Sequence, residues 1–313
     1  MKVVISYGEP DLDGVSCMYA YSEFLNKNGE QAGYFILHEP KQEVRIVCSF
    51  FGIDLKSLEK NEISKNDKFV AVDLNGKDQM DDMIAIDNIV EIIDHHGISK
   101  WVPYYTSLQR LQIDRVGAAA TIVTERFKLS GIIPSREAAI LLYYGIISNS
   151  INLKASITNS RDVEACKWLK SVCSSISEEK IQEIFIRKSR IEDQNLRLEM
   201  ECEIPLVLPK FTVIVAQLEV ANLETFLKDK KQKIISIMQE VKVEKKLDYM
   251  FCNCVDILNG YINVIAPDKD SRNFFEKTFG YQFDKTGTVR VDKIIQRKDM
   301  TRILREKYNP KEL

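Results

Sequence analysis

The sequence is short of histidine, of paired cysteine, of long apolar runs and of charge of one sign, and each shortage excludes something. Lys and Arg number 44 against 46 Asp and Glu, a net charge of −2. That balance excludes a strongly basic nucleic-acid coat, so no nucleic-acid partner is expected. The seven cysteines, Cys17, Cys48, Cys166, Cys173, Cys202, Cys252 and Cys254, form no C-x-x-C pair. An odd, scattered count excludes a disulfide framework, and a lone C-x-C at Cys252 and Cys254 is a poor zinc site. Free thiols in a reducing cytosol are the expectation. The apolar run Ala138 to Ile147 is about half of the ~20 residues a spanning helix needs. Met1-Lys2-Val3-Val4-Ile5-Ser6-Tyr7 reads as a first strand, not a signal peptide. No membrane partner and a cytoplasmic location are therefore expected. With only 13 Gly and 8 Pro, collagen-like and low-complexity architectures are excluded as well.

What is present is ordinary globular composition, 45% hydrophobic and 29% charged, over 313 residues. At roughly 100–200 residues per domain, that length suggests two domains. The first half alternates strands and helices. Lys2 to Ser6, Gly33 to Leu37, Lys68 to Val72 and Val90 to Ile93 read as strands. Mostly apolar runs of that kind fit parallel strands buried on both faces. Gly14 to Asn26, Glu43 to Phe51, Ala118 to Phe127, Arg136 to Ser148 and Arg161 to Val172 read as helices. Ser177 to Glu203 is a charged helical stretch with Ile181, Ile184, Phe185 and Leu196 on one face. Beyond it, Leu206 to Leu208, Phe211 to Leu218, Leu247 to Ile257 and Tyr261 to Ala266 read as strands, and Leu223 to Val241 as a helix. Asn259-Gly260 is a hairpin signal between the last two strands. The fold class is α/β: a parallel-sheet domain over 1–185, a linker helix over 186–203, and a smaller α+β domain over 204–313.

The chemistry-bearing residues fall at strand ends. The histidines are His38, His95 and His96, and the last two follow an aspartate in Ile92-Ile93-Asp94-His95-His96-Gly97. Asp73 ends the strand before that, in Val72-Asp73-Leu74-Asn75. Asp11 and Asp13 follow the first strand, in Pro10-Asp11-Leu12-Asp13-Gly14. Open α/β sheets bind ligands beyond the carboxyl ends of their parallel strands, so these groups converge on one edge. Carboxylates with one or two imidazoles suit Mn²⁺, Mg²⁺ or Fe²⁺.

Further stretches extend the pattern: Gly117 to Thr121, Gly145-Ile146-Ile147-Ser148-Asn149-Ser150, Ser156-x-Thr158 and Asp162. In the second half come Val215-Ala216-Gln217-Leu218, Val255-Asp256-Ile257-Leu258 and Arg297-Lys298. In this order the motifs resemble the DHH phosphoesterase superfamily with its associated C-terminal domain. The branch is that of family II inorganic pyrophosphatases and exopolyphosphatases. The resemblance implies a metal-dependent phosphohydrolase that cleaves a phosphoanhydride, pyrophosphate or short polyphosphate, with a metal-activated water. It implies an active site in the cleft between the domains and two divalent ions, Mg²⁺ or Mn²⁺, bridged by Asp73. Asp11 would serve the first ion. Asp13 and His95 would serve the second. His96 would protonate or hold the leaving phosphate, and Arg297 and Lys298 would neutralise the far phosphate. A homodimer is a common form of this fold.

Two positions depart from the family pattern. Tyr7 stands where the family has a histidine, and Asn149 where it has an aspartate. Three carboxylates remain for two ions, so the resting site should hold metal more weakly. Asn149 is expected to offer its carbonyl oxygen to the second ion. With one imidazole left, the set leans from Mn²⁺ toward Mg²⁺. The competing reading is a catalytically weak or inactive phosphate-binding relative.

Overall fold

The computed structural model describes residues 1–190, 193–201 and 204–309, and the chain divides into two units, Met1–Ile184 and Phe185–Leu313. The first unit runs β1 (Lys2–Ile5), α1 (Leu12–Lys27), β2 (Ala32–Phe35), α2 (Gln42–Phe51), β3 (Lys68–Val72), β4 (Ile89–Asp94) and β5 (Arg110–Ile113). Helices α3 (Ala119–Ser130), α4 (Arg136–Asn149) and α5 (Ser160–Val172) follow, and then α6 (Glu178–Lys188), which crosses into the second unit. The strands form one sheet in the order β2-β1-β3-β4-β5, and every pairing is parallel. Val3, Val70, Ala71, Ile92 and Ile93 are all but inaccessible to solvent. Apolar side chains on both faces of a strand require cover on both faces, which is what parallel sheets have. The expectation of a parallel α/β sheet holds.

Close helix contact fixes the layer above this sheet. A Cβ on Gly145 of α4 would come within 2.5 Å of Ser16 Oγ on α1 and 3.3 Å of Ala120 Cβ on α3. Only glycine lets the three helices meet there. Helix α4 itself is apolar nearly all round, with Ala138 through Ile147 buried. A helix with that profile lies inside the domain.

The second unit runs α7 (Asp193–Glu201), β6 (Leu206–Leu208), β7 (Phe211–Val220), α8 (Leu223–Glu244), β8 (Tyr249–Asp256) and β9 (Tyr261–Ile265), then α9 (Lys269–Phe279), β10 (Thr288–Val291) and α10 (Arg297–Tyr308). Its sheet is mixed, in the order β10-β9-β8-β7-β6, with β7 and β8 parallel and the remaining pairs antiparallel. The β8–β9 hairpin turns through Gly260 at φ 79°, as its Asn-Gly pair suggests.

Three features differ from the sequence reading. Strand β5 reads Arg-Leu-Gln-Ile and is half exposed at the sheet edge, so it shows no apolar run. Strand β10 and helices α9 and α10 also carry few apolar residues; α10 buries only Met300 and Leu304. The expected linker helix is two helices. Leu196 and Met200 of α7 are buried in one core with Ile234 and Met238 of α8, so α7 belongs to the second unit's core. Residues 191, 192, 202 and 203 of that stretch lie outside the described residues.

Candidate metal centre

Because β1, β3 and β4 are parallel, their carboxyl ends open at one edge, and Asp11, Asp13, Asp73, His95 and His96 all follow those ends. Asp11 is the N-cap of α1; its Oδ1 accepts from the N–H groups of Asp13 (3.0 Å) and Gly14 (3.2 Å). Asp13 lies one residue into α1 and is buried. Its Oδ2 accepts from Ala119 N at 2.8 Å and its Oδ1 from Ala120 N at 2.8 Å. Asp13 thus sits on the amino end of α3, where free N–H groups and the helix dipole favour an anion. Burial still pushes its carboxyl up, against the pull of His95 and those N–H groups.

Asp73 leaves β3 with φ 54°, in the left-handed region that Asp tolerates better than most residues. Its side chain is buried, and Oδ1 has no hydrogen-bond partner. His95 Nε2 lies 3.4 Å from it and His96 Nδ1 3.6 Å. Burial, then the charges of Asp13 and Asp11, push the Asp73 carboxyl well above the ordinary range. An ionised oxygen left in this state asks for a cation.

The two histidines are held differently. His95 is closed in, and its Nδ1 lies 3.0 Å from Val116 O. A carbonyl partner makes Nδ1 the protonated nitrogen, which leaves the Nε2 lone pair facing Asp73 and Asp13. His96 is mostly exposed, with 60% of its side chain accessible. Its Nδ1 lies 2.8 Å from Asp94 Oδ1. That hydrogen bond to Asp94 raises the His96 pKa, against the opposing effects of burial and of His95.

Sequence reading gave Asp94 no task beyond its place in the triplet. The structure shows that its oxygens are already taken. Oδ1 accepts from His95 N (2.7 Å), His96 N (3.1 Å) and His96 Nδ1, and Oδ2 accepts from Asn75 Nδ2. Burial alone would raise the Asp94 carboxyl; these bonds outweigh it and hold it low. Asn75 in turn donates to Gly97 O (3.1 Å) and accepts from Ser99 N (2.6 Å), which ties down the loop after β4. Asp94 and Asn75 aim the imidazoles. The signal was legible: a carboxylate at a buried strand end, next to two rings that need orienting.

A second buried carboxylate shapes the loop before α3. Asp162 accepts from Gly117 N at 2.9 Å on both oxygens, from Thr121 Oγ1 at 2.6 Å and from Asn159 N at 2.8 Å. A Cβ on Gly117 would fall 2.9 Å from Asp162 Oδ2, so glycine is required. The pinned loop presents Val116 O to His95 and the Ala119 and Ala120 N–H groups to Asp13.

Tyr7 and Asn149 each bring a neutral side chain to these carboxylates. Burial, then the charges of Asp11 and Asp73, hold the Tyr7 phenol well above its ordinary pKa, so it stays protonated. Its oxygen accepts from Asp11 N at 3.0 Å. Asn149 corrects the sequence expectation. Its amide nitrogen, not its oxygen, faces the cluster, 2.9 Å from Gly117 O, 3.3 Å from Asp13 Oδ2 and 3.3 Å from His95 Nε2. Three acceptors on one side dictate that orientation. Helix α4 ends at Asn149, and Ile151, Asn152 and Leu153 then take φ of 49°, 53° and 62°. A left-handed turn containing a β-branched residue costs energy, and such strain is characteristic of functional sites.

Among the described residues, Asp73, Asp94, His95 and His96 bring one ligand atom each to within 4.8 Å of one another. Asp94 is consumed by its own donors. Asp73 Oδ1 and His95 Nε2 remain as a carboxylate–imidazole pair, with Asp13 Oδ2 3.8 Å from the same nitrogen. Oxygen plus imidazole donors fit a divalent cation, Mg²⁺ or Mn²⁺. In the second unit, Arg297 and Lys298 open α10, both exposed. The Arg297 N–H donates to Gln217 Oε1 at 2.7 Å, and Asn253 Nδ2 donates to the same oxygen at 3.1 Å.

Residues 2–146 match the family model described as DHH family, N-terminal domain. The match lies within the first unit. Over 296 residues the chain is 25% identical to a probable manganese-dependent inorganic pyrophosphatase of Clostridium acetobutylicum, covering 94% of each protein. A Methanococcus jannaschii structure assigned as a family II inorganic pyrophosphatase aligns with a TM-score of 0.69 at 21% identity. That alignment covers 99% of this chain and 100% of that one. An exopolyphosphatase-related protein from Bacteroides fragilis aligns with a TM-score of 0.52 at 14% identity, over 99% and 92% of the two chains. These alignments show the two-domain fold across both units.

Proposed function

We propose that this chain is a metal-dependent phosphohydrolase that cleaves a phosphoanhydride, pyrophosphate or short polyphosphate. The observation that carries the reading is the buried, unpartnered Asp73 Oδ1 facing the His95 Nε2 lone pair at the carboxyl edge of a parallel sheet. Similarity over nearly the whole chain to a protein named as an inorganic pyrophosphatase supports the substrate class.

A divalent ion held by Asp73 and His95, with Asp11 and Asp13 beside it, would neutralise phosphate charge and acidify a water. The protein's own groups do the rest. Val116 O keeps His95 in the tautomer that ligates. Asp94 orients His96 with its Nδ1 bonded, which leaves Nε2 for the substrate. An imidazole whose pKa is raised by a carboxylate is more often charged near neutral pH, so His96 can give a proton to the leaving phosphate or hold it by a charged hydrogen bond. Arg297 and Lys298 are the second unit's phosphate-binding residues in this reading, a guanidinium fork and a point charge at a helix amino end.

The test is phosphate release from pyrophosphate and from tripolyphosphate, each with Mg²⁺ and with Mn²⁺, beside Asp73→Ala. Release that needs metal and vanishes in Asp73→Ala is the expected result. The second reading, a weak or inactive phosphate binder, draws on Tyr7 and Asn149. It is favoured if pyrophosphate binds in the presence of metal and no phosphate is released.

A further inference from the structure

Helix α10 opens with Arg297 and Lys298, and two polar side chains from strands of the same unit hold that opening. Gln217 of β7 and Asn253 of β8 stand directly opposite each other in the parallel pairing. Asn253 is fully buried, between Phe251 and Val255 on one face of its strand. Its Nδ2 donates to Ile295 O at 2.7 Å and to Gln217 Oε1 at 3.1 Å. The Gln217 oxygen also accepts the Arg297 N–H at 2.7 Å, and its Nε2 donates to Glu219 Oε1 at 2.9 Å. Glu219 Oε2 in turn lies 3.4 Å from Lys188 Nζ.

Each amide has one orientation open to it. Glu219 takes the Gln217 NH₂ group, so the Gln217 oxygen must face Arg297 and Asn253. Turning the Asn253 amide over would set its oxygen against Ile295 O and Gln217 Oε1, acceptors with no hydrogen between them. The orientation that holds leaves Asn253 Oδ1 buried without a partner. An apolar residue would fill a strand position between Phe251 and Val255 without that loss. What the polar pair gains is a fixed start to α10. The first N–H of a helix has no acceptor within the helix, and Gln217 supplies one. Ile295 is thereby tied to β8 and Arg297 to β7, on either side of the Gln296 cap.

We infer that Gln217 and Asn253 are positioning residues for a phosphate-binding pair: they fix the main chain from which the Arg297 guanidinium and the Lys298 ammonium reach a substrate phosphate. The inference rests on the proposed phosphohydrolase reading, in which that pair binds phosphate. Neither amide meets the substrate; both act through the main chain at 295–297. Forked, charge-assisted contacts to phosphate depend on geometry, so displacing the start of α10 by about 1 Å costs on the order of 100-fold. The metal centre belongs to the first unit and shares none of these hydrogen bonds.

The experiment uses the full-length chain with Mg²⁺. Calorimetry measures the binding of imidodiphosphate, a pyrophosphate analogue with nitrogen in the bridge, and phosphate release gives KM for pyrophosphate. Gln217→Met is close in size and has no polar end. It is expected to weaken analogue binding and raise KM by about 10–100-fold, with the Mn²⁺ affinity of the chain unchanged. Asn253→Leu is expected to do the same; Gln217→Met carries the test if that variant does not fold by circular dichroism. When Arg297→Ala and Lys298→Ala are already present, Gln217→Met is expected to add less than about twofold, because the groups it positions are gone. Unchanged analogue binding in Gln217→Met overturns the inference. So does a full further loss in the double-alanine background, since the glutamine then acts elsewhere. Mn²⁺ affinity that falls as far as analogue binding also overturns it, because the effect is then on the whole scaffold. A double-alanine variant that binds the analogue as tightly as the unmodified chain removes the phosphate-binding pair and the inference with it. Analogue neither bound nor pyrophosphate cleaved by the unmodified chain overturns the phosphohydrolase reading and the inference together. The expected binding pattern without phosphate release overturns hydrolysis and leaves the inference standing.

Discussion

Asp73 in the first unit and Asp256 in the second are both buried carboxylates at the carboxyl end of a strand, and they have opposite fates. Asp256 is fully enclosed, and its oxygens accept from Leu223 N, Leu258 N, Asn259 N and Asn259 Nδ2, all within 3.1 Å. It caps α8 and closes the Asn259-Gly260 turn, so its charge is spent on the fold. Asp73 Oδ1 receives no donor from the protein. The lesson is that burial and residue type do not distinguish a ligand from a scaffold; the count of donors does. A carboxylate that the protein satisfies is structural, and one that it leaves hungry is kept for something else.

The largest expected effect comes from exchanging the hungry carboxylate. Asp73→Asn should abolish Mn²⁺ binding in a calorimetric titration, because a buried, unpartnered anionic ligand is gone. The same change should stabilise the metal-stripped protein by roughly 1–3 kcal/mol, the cost of a buried charge without partners. The sign with pH follows. The folded-state pKa of Asp73 is raised, so the unmodified chain loses stability as pH rises from the unfolded value through the folded one. The advantage of Asp73→Asn should therefore vanish below about pH 4 and grow as pH rises above it. Denaturant unfolding across that pH range checks it.

The mirror-image variant sharpens the contrast. Asp256→Ala should cost about 3 kcal/mol or more in urea unfolding, since several buried donors lose one charged acceptor. If the variant folds, its Mn²⁺ affinity should be unchanged. Metal binding lost together with stability would break the distinction drawn between the two aspartates.

A smaller effect belongs to a residue that acts through others. Asp162→Asn keeps the size but trades an acceptor for a donor facing Gly117 N. It should lower stability by about 1–3 kcal/mol. It should also weaken Mn²⁺ binding by loosening the Val116 carbonyl that fixes the His95 tautomer, by the 10–100-fold usual for groups that orient a ligand. A stability loss without any change in Mn²⁺ affinity would confine Asp162 to the scaffold.

The smallest effect is a gain far from the chemistry. Helix α8 ends with Leu247 N bonded to Lys242 O and with Lys246 at φ 52°, the position glycine favours. The Lys246 side chain is exposed. Lys246→Gly should raise the unfolding free energy by about 0.5–1 kcal/mol, since only left-handed strain is relieved. Metal affinity should not change.

Some of this was legible from residue order. The buried strands β3 and β4 announce themselves as apolar runs, and a parallel sheet puts Asp11, Asp13, Asp73 and His95 at one edge. Strands β5 and β10 did not, because an edge strand wetted on one side has no continuous apolar run. The candidate site residues could be picked out by their place at strand ends, and which of their atoms the protein already bonds could not. Asp94 has no task in the sequence reading and is an orienting group in the fold. Asn149 looks like an oxygen donor and presents nitrogen.

The sequence by itself determined the alternation of elements, the edge at which the chemistry gathers and the kinds of donor atom available there. Those follow from hydrophobic period, from the direction of parallel strands and from covalent identity. Only the tertiary structure decided which donors are already spoken for. Asp13 meets Ala119 and Ala120 across more than a hundred residues, and Asn149 meets Asp13 from a different helix. Hydrogen bonds act over about 3 Å, so the answer depends on what the packed helices bring within that distance.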